Sequence, residues 1–216
     1  MPLYLFFVWF ELIALLIVLI NHHRIKNTYL WWFIPLLLLT NIIEWGSYFH
    51  IFTLHKSNNW IYNVFTLIEF LFYSWLYYSI IPDKGSKRII KLLATILFFT
   101  TLANQLFLQG FWHFHSYTFM LGCIVMVSYV FLFFRQMIQH VDDESLLRQP
   151  YFWVSIGVLF FYVGQFFYFA FFQYFLIKND FGSSLPVFHF FNNLLNILLY
   201  TCLSISFFCK PGSATT

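Results

Sequence analysis

Seven stretches of roughly twenty apolar residues, parted by short polar breaks, leave this chain few folds to adopt. A helix needs about 20 mostly apolar residues to cross the hydrocarbon core of a bilayer. The stretches run Leu3–Ile20, Leu30–Thr53, Asn59–Ile81, Ile89–Leu108, Ser116–Met137, Tyr151–Ile177 and Val187–Cys209. Pro82-Asp83-Lys84-Gly85 is expected to end the third, and Gly182-Ser183-Ser184-Leu185-Pro186 to close the last loop. Pro150 suits the first turn of the sixth. The reading is an all-α membrane protein: one seven-helix transmembrane domain over residues 1–210, then a flexible tail over 211–216.

Composition points the same way. Only 9% of the 216 residues are charged, against about 25% in soluble domains. The mean hydropathy is +0.76. Aromatic residues make up 25%, including 33 Phe, which is more than two interfacial belts need. Rings are therefore expected in helix contacts or facing lipid. A net charge of +3 without a basic patch gives no case for nucleic acid. Cys123, Cys202 and Cys209 all fall in or at the ends of apolar runs, which argues against a disulfide framework. The positive charges near the N-terminus follow the apolar run instead of preceding it, so a retained first helix is expected, not a signal peptide.

Lysines and arginines set the expected orientation, because cytoplasmic loops concentrate them. With the N-terminus outside, nine fall inside: Arg24, Lys26, Lys84, Lys87, Arg88, Lys91, Arg135, Arg148 and Lys210. Lys56 and Lys178 alone fall outside. The expectation is an N-out, C-in protein of the cell (inner) membrane.

Within the apolar runs lie polar groups that lipid does not tolerate. Tyr62, Thr66, Glu69, Tyr73 and Tyr77 are spaced four, three, four and four, on one helical face. The first run carries Glu11 and the second Asn41, Glu44 and Tyr48. The fourth carries Asn104 and Gln105; the sixth carries Gly157, Tyr162, Gly164 and Gln165. The seventh carries His189, Asn193, Asn196, Tyr200 and Ser204, at the spacing of the third. Alignment of those two runs sets Glu69 against Asn196 and Tyr73 against Tyr200; the second and sixth set Glu44 against Gln165. This suggests two parallel three-helix repeats joined by the fourth helix, a 3+1+3 arrangement.

Glu11, Glu44 and Glu69 have two readings. A buried carboxyl without a cation is favoured as the neutral acid, and Asn, Gln and Tyr then serve as hydrogen-bonded glue between helices. Alternatively the groups line a pocket or coupling core, the usual role of ionisable residues inside a membrane. Candidate site residues are Glu11, Asn41, Glu44, Tyr48, Glu69, Tyr73, Asn104, Gln165, Asn193, Asn196 and Tyr200. Gly157 and Gly164 are close-packing or hinge candidates.

His22, His23 and His140 are expected inside; His50, His55, His113, His115 and His189 at or near the outer surface, with Trp60, Trp112 and Asp180. His50, His113, His115 and His189 are candidate metal ligands, but rings also favour the interface, and His113-x-His115 lacks a third ligand at helical spacing. The spacings match no desaturase histidine box and no paired haem histidines. There is no lysine in the seventh run for a retinal Schiff base, no Pro-Gln pair, no phosphate loop and no catalytic Ser/His/Asp set.

Asn59-Trp60-Ile61-Tyr62-Asn63 leading to Glu69-Phe70 and Tyr73, then Pro150-Tyr151-Phe152-Trp153 with Gly157 and Tyr162, then Asn193, Asn196 and Tyr200, resemble uncharacterised seven-helix inner-membrane proteins of Bacteroidota-type bacteria. Similar segments form the membrane part of some sensor histidine kinases. The resemblance implies a sensory or partner-dependent role.

The expected function is therefore a receptor-like sensor or a subunit of a membrane complex, with another membrane or cytoplasmic polypeptide as partner and a small apolar or weakly polar ligand. Alternatives are a small-molecule or proton-coupled transporter, or a membrane metalloenzyme using the outer histidines. No cofactor is indicated.

Overall fold

A computed structural model describes residues 6–139, 146–177 and 181–209, with 172–177 and 181–186 as backbone alone. His140, Lys178, Asp180, Lys210 and the 211–216 tail lie outside the described residues, as do residues 3–5 of the first expected run. The described residues form helices α1 (Phe6–Ile20), α2 (His22–Ile25), α3 (Phe33–Tyr48), α4 (Asn59–Ile80), α5 (Lys84–Ala103), α6 (Ser116–Gln139), α7 (Pro150–Ile177) and α8 (Phe181–Phe208). Short 3₁₀ turns at Tyr29–Trp32 and Leu146–Arg148 lead into α3 and α7, and a π-turn at Asn104–Leu108 ends α5.

Among the described residues, five segments are long and apolar enough to cross a membrane: Tyr29–Tyr48, Lys84–Leu108, Ser116–Gln139, Pro150–Phe171 and Val187–Phe208. α1 is a shorter apolar helix of 15 residues. α4 has the length, 22 residues, but is not among the five. Four Tyr, two Asn, two Ser, Thr66 and Glu69 dilute its hydropathy.

Several boundaries differ from the expected ones, each for a local reason. α3 stops at Tyr48, not Thr53, because the chain reverses at His50, whose φ is 58°. His55 (φ 49°) and Lys56 (φ 64°) continue the tight loop. α5 begins at Lys84, not Ile89. Asp83 caps it by accepting from the Ser86 backbone N–H at 2.7 Å and from the Ser86 hydroxyl at 2.7 Å. Gly85 therefore sits inside the first turn, and the break falls on Ile81–Asp83, where Ile81 precedes Pro82 in extended conformation. α8 begins at Phe181, so 182–186 is helical, not a loop; Pro186 lies in its second turn.

The helices close a ring. α1 packs between α3 and α8, α3 meets α4, α4 meets α6, α6 meets α7, and α7 meets α8. α5 lies outside this ring against α4 and α6, and is the least buried of the five apolar segments. Aromatic rings fill the interior. Phe33 meets Phe72, Tyr73 and Phe207 at centroid distances of 5.0, 6.3 and 5.9 Å. Phe70 meets Phe119 at 5.9 Å and Tyr162 at 5.8 Å. Small residues admit these rings: a Cβ on Gly122 would overlap the Phe70 ring, and one on Gly164 would overlap Leu195. The close packing expected of Gly157 is against Leu199 and Cys202.

Candidate functional site

The ring turns the polar faces of α1, α3, α4, α7 and α8 towards one another. None of these five helices carries Lys or Arg. Glu11 is 1% exposed. The Tyr200 hydroxyl acts on it as a hydrogen-bond donor, and Glu44 and Glu69 lie within electrostatic range. Its Oε2 has no hydrogen-bond partner. Glu44 and Glu69 are half-buried. Tyr62 donates to Glu44 Oε2 at 3.0 Å. Tyr162 is fully buried, with its hydroxyl beside Glu69 but in no well-formed hydrogen bond. Tyr73, 1% exposed, packs edge-on to Tyr162 at 6.0 Å. Tyr200 faces Glu11, Glu69, Tyr73 and Glu44 together. Three carboxyls and four tyrosines thus form one polar cluster inside the ring, here called the carboxyl chamber. Its chemistry suits binding a donor-rich small molecule or passing a proton.

The remaining candidates surround the chamber or leave it. Asn193 Oδ1 accepts the Phe7 backbone N–H at 3.2 Å, tying α8 to α1. Gln165 donates to Asn192 Oδ1 at 2.8 Å, tying α7 to α8. Asn196 and Asn41 are buried and spend their amide hydrogens on their own helices, donating to Asn192 O and Leu37 O at 2.9 Å each. The Asn41 Oδ1 is unpartnered.

Tyr48 does not join the stripe. It is 39% exposed and packs with Trp45 and Phe49 at the end of α3. Asn104 belongs elsewhere too: in the π-turn it donates to Gln109 Oε1 at 2.8 Å and Thr118 Oγ1 at 3.3 Å.

The histidines do not converge on a metal. His50, His55, His113 and His189 are exposed and His115 is buried. Among the described residues no group of three His, Cys, Asp or Glu is placed to hold an ion. His55 instead packs its ring on Trp112 at 4.5 Å. Asn63 organises this end. It donates to Phe111 O at 3.3 Å and His113 O at 2.8 Å, and accepts from the His115 backbone N–H at 3.0 Å.

The residues left outside the candidate set are Tyr162, Asn192 and Asn63. Tyr162 lies three residues before Gln165 on the same face of α7, which was the available signal. No protein-family model, no curated protein and no solved structure matches this chain.

Proposed function

We propose that this chain is a seven-span protein of the cell membrane, N-terminus outside and C-terminus inside. In this reading it is a receptor-like sensor or the subunit of a membrane complex, with the carboxyl chamber as ligand pocket or coupling core. Glu11 carries this reading. A fully buried carboxyl with a free oxygen, facing two further acids, is more than glue, because buried polar groups normally find partners. A proton or a ligand bearing N–H or O–H donors supplies what the chamber lacks. The lower hydropathy of α4 is what a spanning helix shows when its polar face looks into a bundle. The resemblance to kinase membrane segments favours the sensory role.

A second reading, a small carrier, has its own support. The α1–α8 contact and the α4–α6 contact are equivalent if α1, α3 and α4 repeat as α6, α7 and α8. A 3+1+3 repeat requires that pair of neighbours, although α7 packs on α8 far more extensively than α3 does on α4.

Native mass spectrometry of protein extracted gently from its own membrane tests both. A bound polypeptide, or a small-molecule adduct lost in Glu69→Gln, is the expected result. A bare monomer, with Glu69→Gln behaving as wild type in a working assay, overturns the sensor reading. Substrate flux into proteoliposomes abolished by Glu44→Gln would put the carrier in its place.

A further inference from the structure

A second polar cluster lies apart from the chamber, where α4, α5 and α6 meet beside the 109–115 loop. His115 is 4% exposed. Its Nε2 lies 2.9 Å from the Gly110 carbonyl oxygen. A carbonyl only accepts, so Nε2 carries the hydrogen, and in the neutral ring Nδ1 is left with a bare lone pair. That Nδ1 is buried and has no hydrogen-bond partner among the described residues.

His115 lines a cavity of about 10 Å³, room for a single water. Thr66 of α4, Thr101 of α5 and Thr118 of α6 share the wall, and Phe70, Phe114 and Phe119 close it. The hydroxyls are unequally occupied. Thr101 donates to Leu97 O at 2.7 Å and keeps a lone pair. Thr118 donates to His115 O at 3.1 Å and accepts from Asn104. The Thr66 hydroxyl makes no such bond to any described residue, so its hydrogen is available.

We propose that this cavity binds one ordered water molecule. The water donates to His115 Nδ1 and to Thr101 Oγ1, and accepts from Thr66. Three bonds are the usual complement of a buried water, and here they join α4 and α5 to the 109–115 loop. A metal or alkali cation fits poorly, because no carboxylate lines the cavity to offset its desolvation. Thr66 lies one helical turn before Glu69, so the water stands one turn from the carboxyl chamber. The inference rests on this junction alone and not on the role of the chamber.

Solid-state NMR of the full chain in lipid bilayers, with ¹⁵N-histidine assigned through His115→Gln, tests it. The expected result is a His115 ring protonated at Nε2, an Nδ1 shift of a hydrogen-bonded acceptor, and a water cross-peak to the ring. Thr101→Ile, which fills the cavity, should abolish that cross-peak. Thr66→Val, which removes the donor without adding volume, should weaken it at least twofold and serves if Thr101→Ile does not fold. A wild-type ring protonated at Nδ1, a missing cross-peak, or a cross-peak unchanged in the folded variants overturns the proposal.

Discussion

The Tyr62 hydroxyl donates a 3.0 Å hydrogen bond to Oε2 of Glu44 and so ties α4 to α3. Hydrogen bonds between membrane helices contribute about 0.6 kcal/mol on average and at most about 1.7. Tyr62→Phe should therefore lower stability within that range, read by reversible unfolding in bicelles. A loss well above it would mean that Glu44 depends on Tyr62 for more than one bond.

Glu11 separates stability from function. Its unpartnered oxygen carries a desolvation cost of about 1–3 kcal/mol. Glu11→Leu removes that cost but strands the Tyr200 hydroxyl, so it should fold with near-wild-type stability while losing ligand response or partner binding. The two readouts are unfolding in bicelles and co-purification of the adduct or partner. A variant that is stable and fully functional would reduce Glu11 to packing.

Gly122 gives the Phe70 ring its seat against α6. Gly122→Ala should cost about 1–3 kcal/mol, the usual penalty for overpacking. Near-neutral stability in the same unfolding assay would show that Phe70 has room to rotate away.

Much of this was legible in the sequence, and the failures have identifiable causes. Apolar runs locate helices well because the bilayer demands length and hydrophobicity together. They locate ends poorly. The lysines before Ile89 suggested a loop, yet the Asp83 cap starts α5 ahead of them, and Lys87 and Lys91 lie over the Tyr78 ring at 4.9 Å each. Periodicity showed that Glu44 and Glu69 lie on inward faces, because 3.6 residues per turn fixes a direction. It does not name the facing helix, so Asn104 was grouped with a chamber from which it is absent. Tyr48 shared the spacing of Glu44, but α3 ends there and leaves it outside. Tyr162 escaped the candidate set because tyrosine in such a helix also reads as an interfacial ring.

Asn63 holds the 109–115 loop through three hydrogen bonds. At about 0.5–1.5 kcal/mol net for each bond, Asn63→Ala should destabilise the loop by about 1.5–4.5 kcal/mol. Hydrogen exchange should then show the His115 amide losing most of its protection while helix α8 is unchanged. Uniform loss across the bundle would place Asn63 in the global core instead.

Asp83 makes the start of α5 sensitive to acid. The Ser86 backbone N–H, then its hydroxyl, stabilise the ionised carboxylate and hold its pKa below the usual value. A lowered folded pKa stabilises at neutral pH, and the contribution is lost as pH falls through that lowered value. Corrected hydrogen-exchange protection at residues 85–88 should stay constant from neutrality down to the ordinary carboxylate pKa and then fall as the pH drops from there to the lowered value. Asp83→Asn should remove the pH dependence.

The Asn193–Phe7 bond and the Tyr200–Glu11 contact join α1 to α8. In the proposed seven-span protein, α1 is made and inserted long before its partner exists. Its carboxyl must wait in lipid, at the translocon or with a chaperone until nearly the whole chain has been made. Ring closure is therefore a late step of assembly. Chains stalled before α8 would display an unsheltered acid in their first helix, a mark by which membrane proteases could select them.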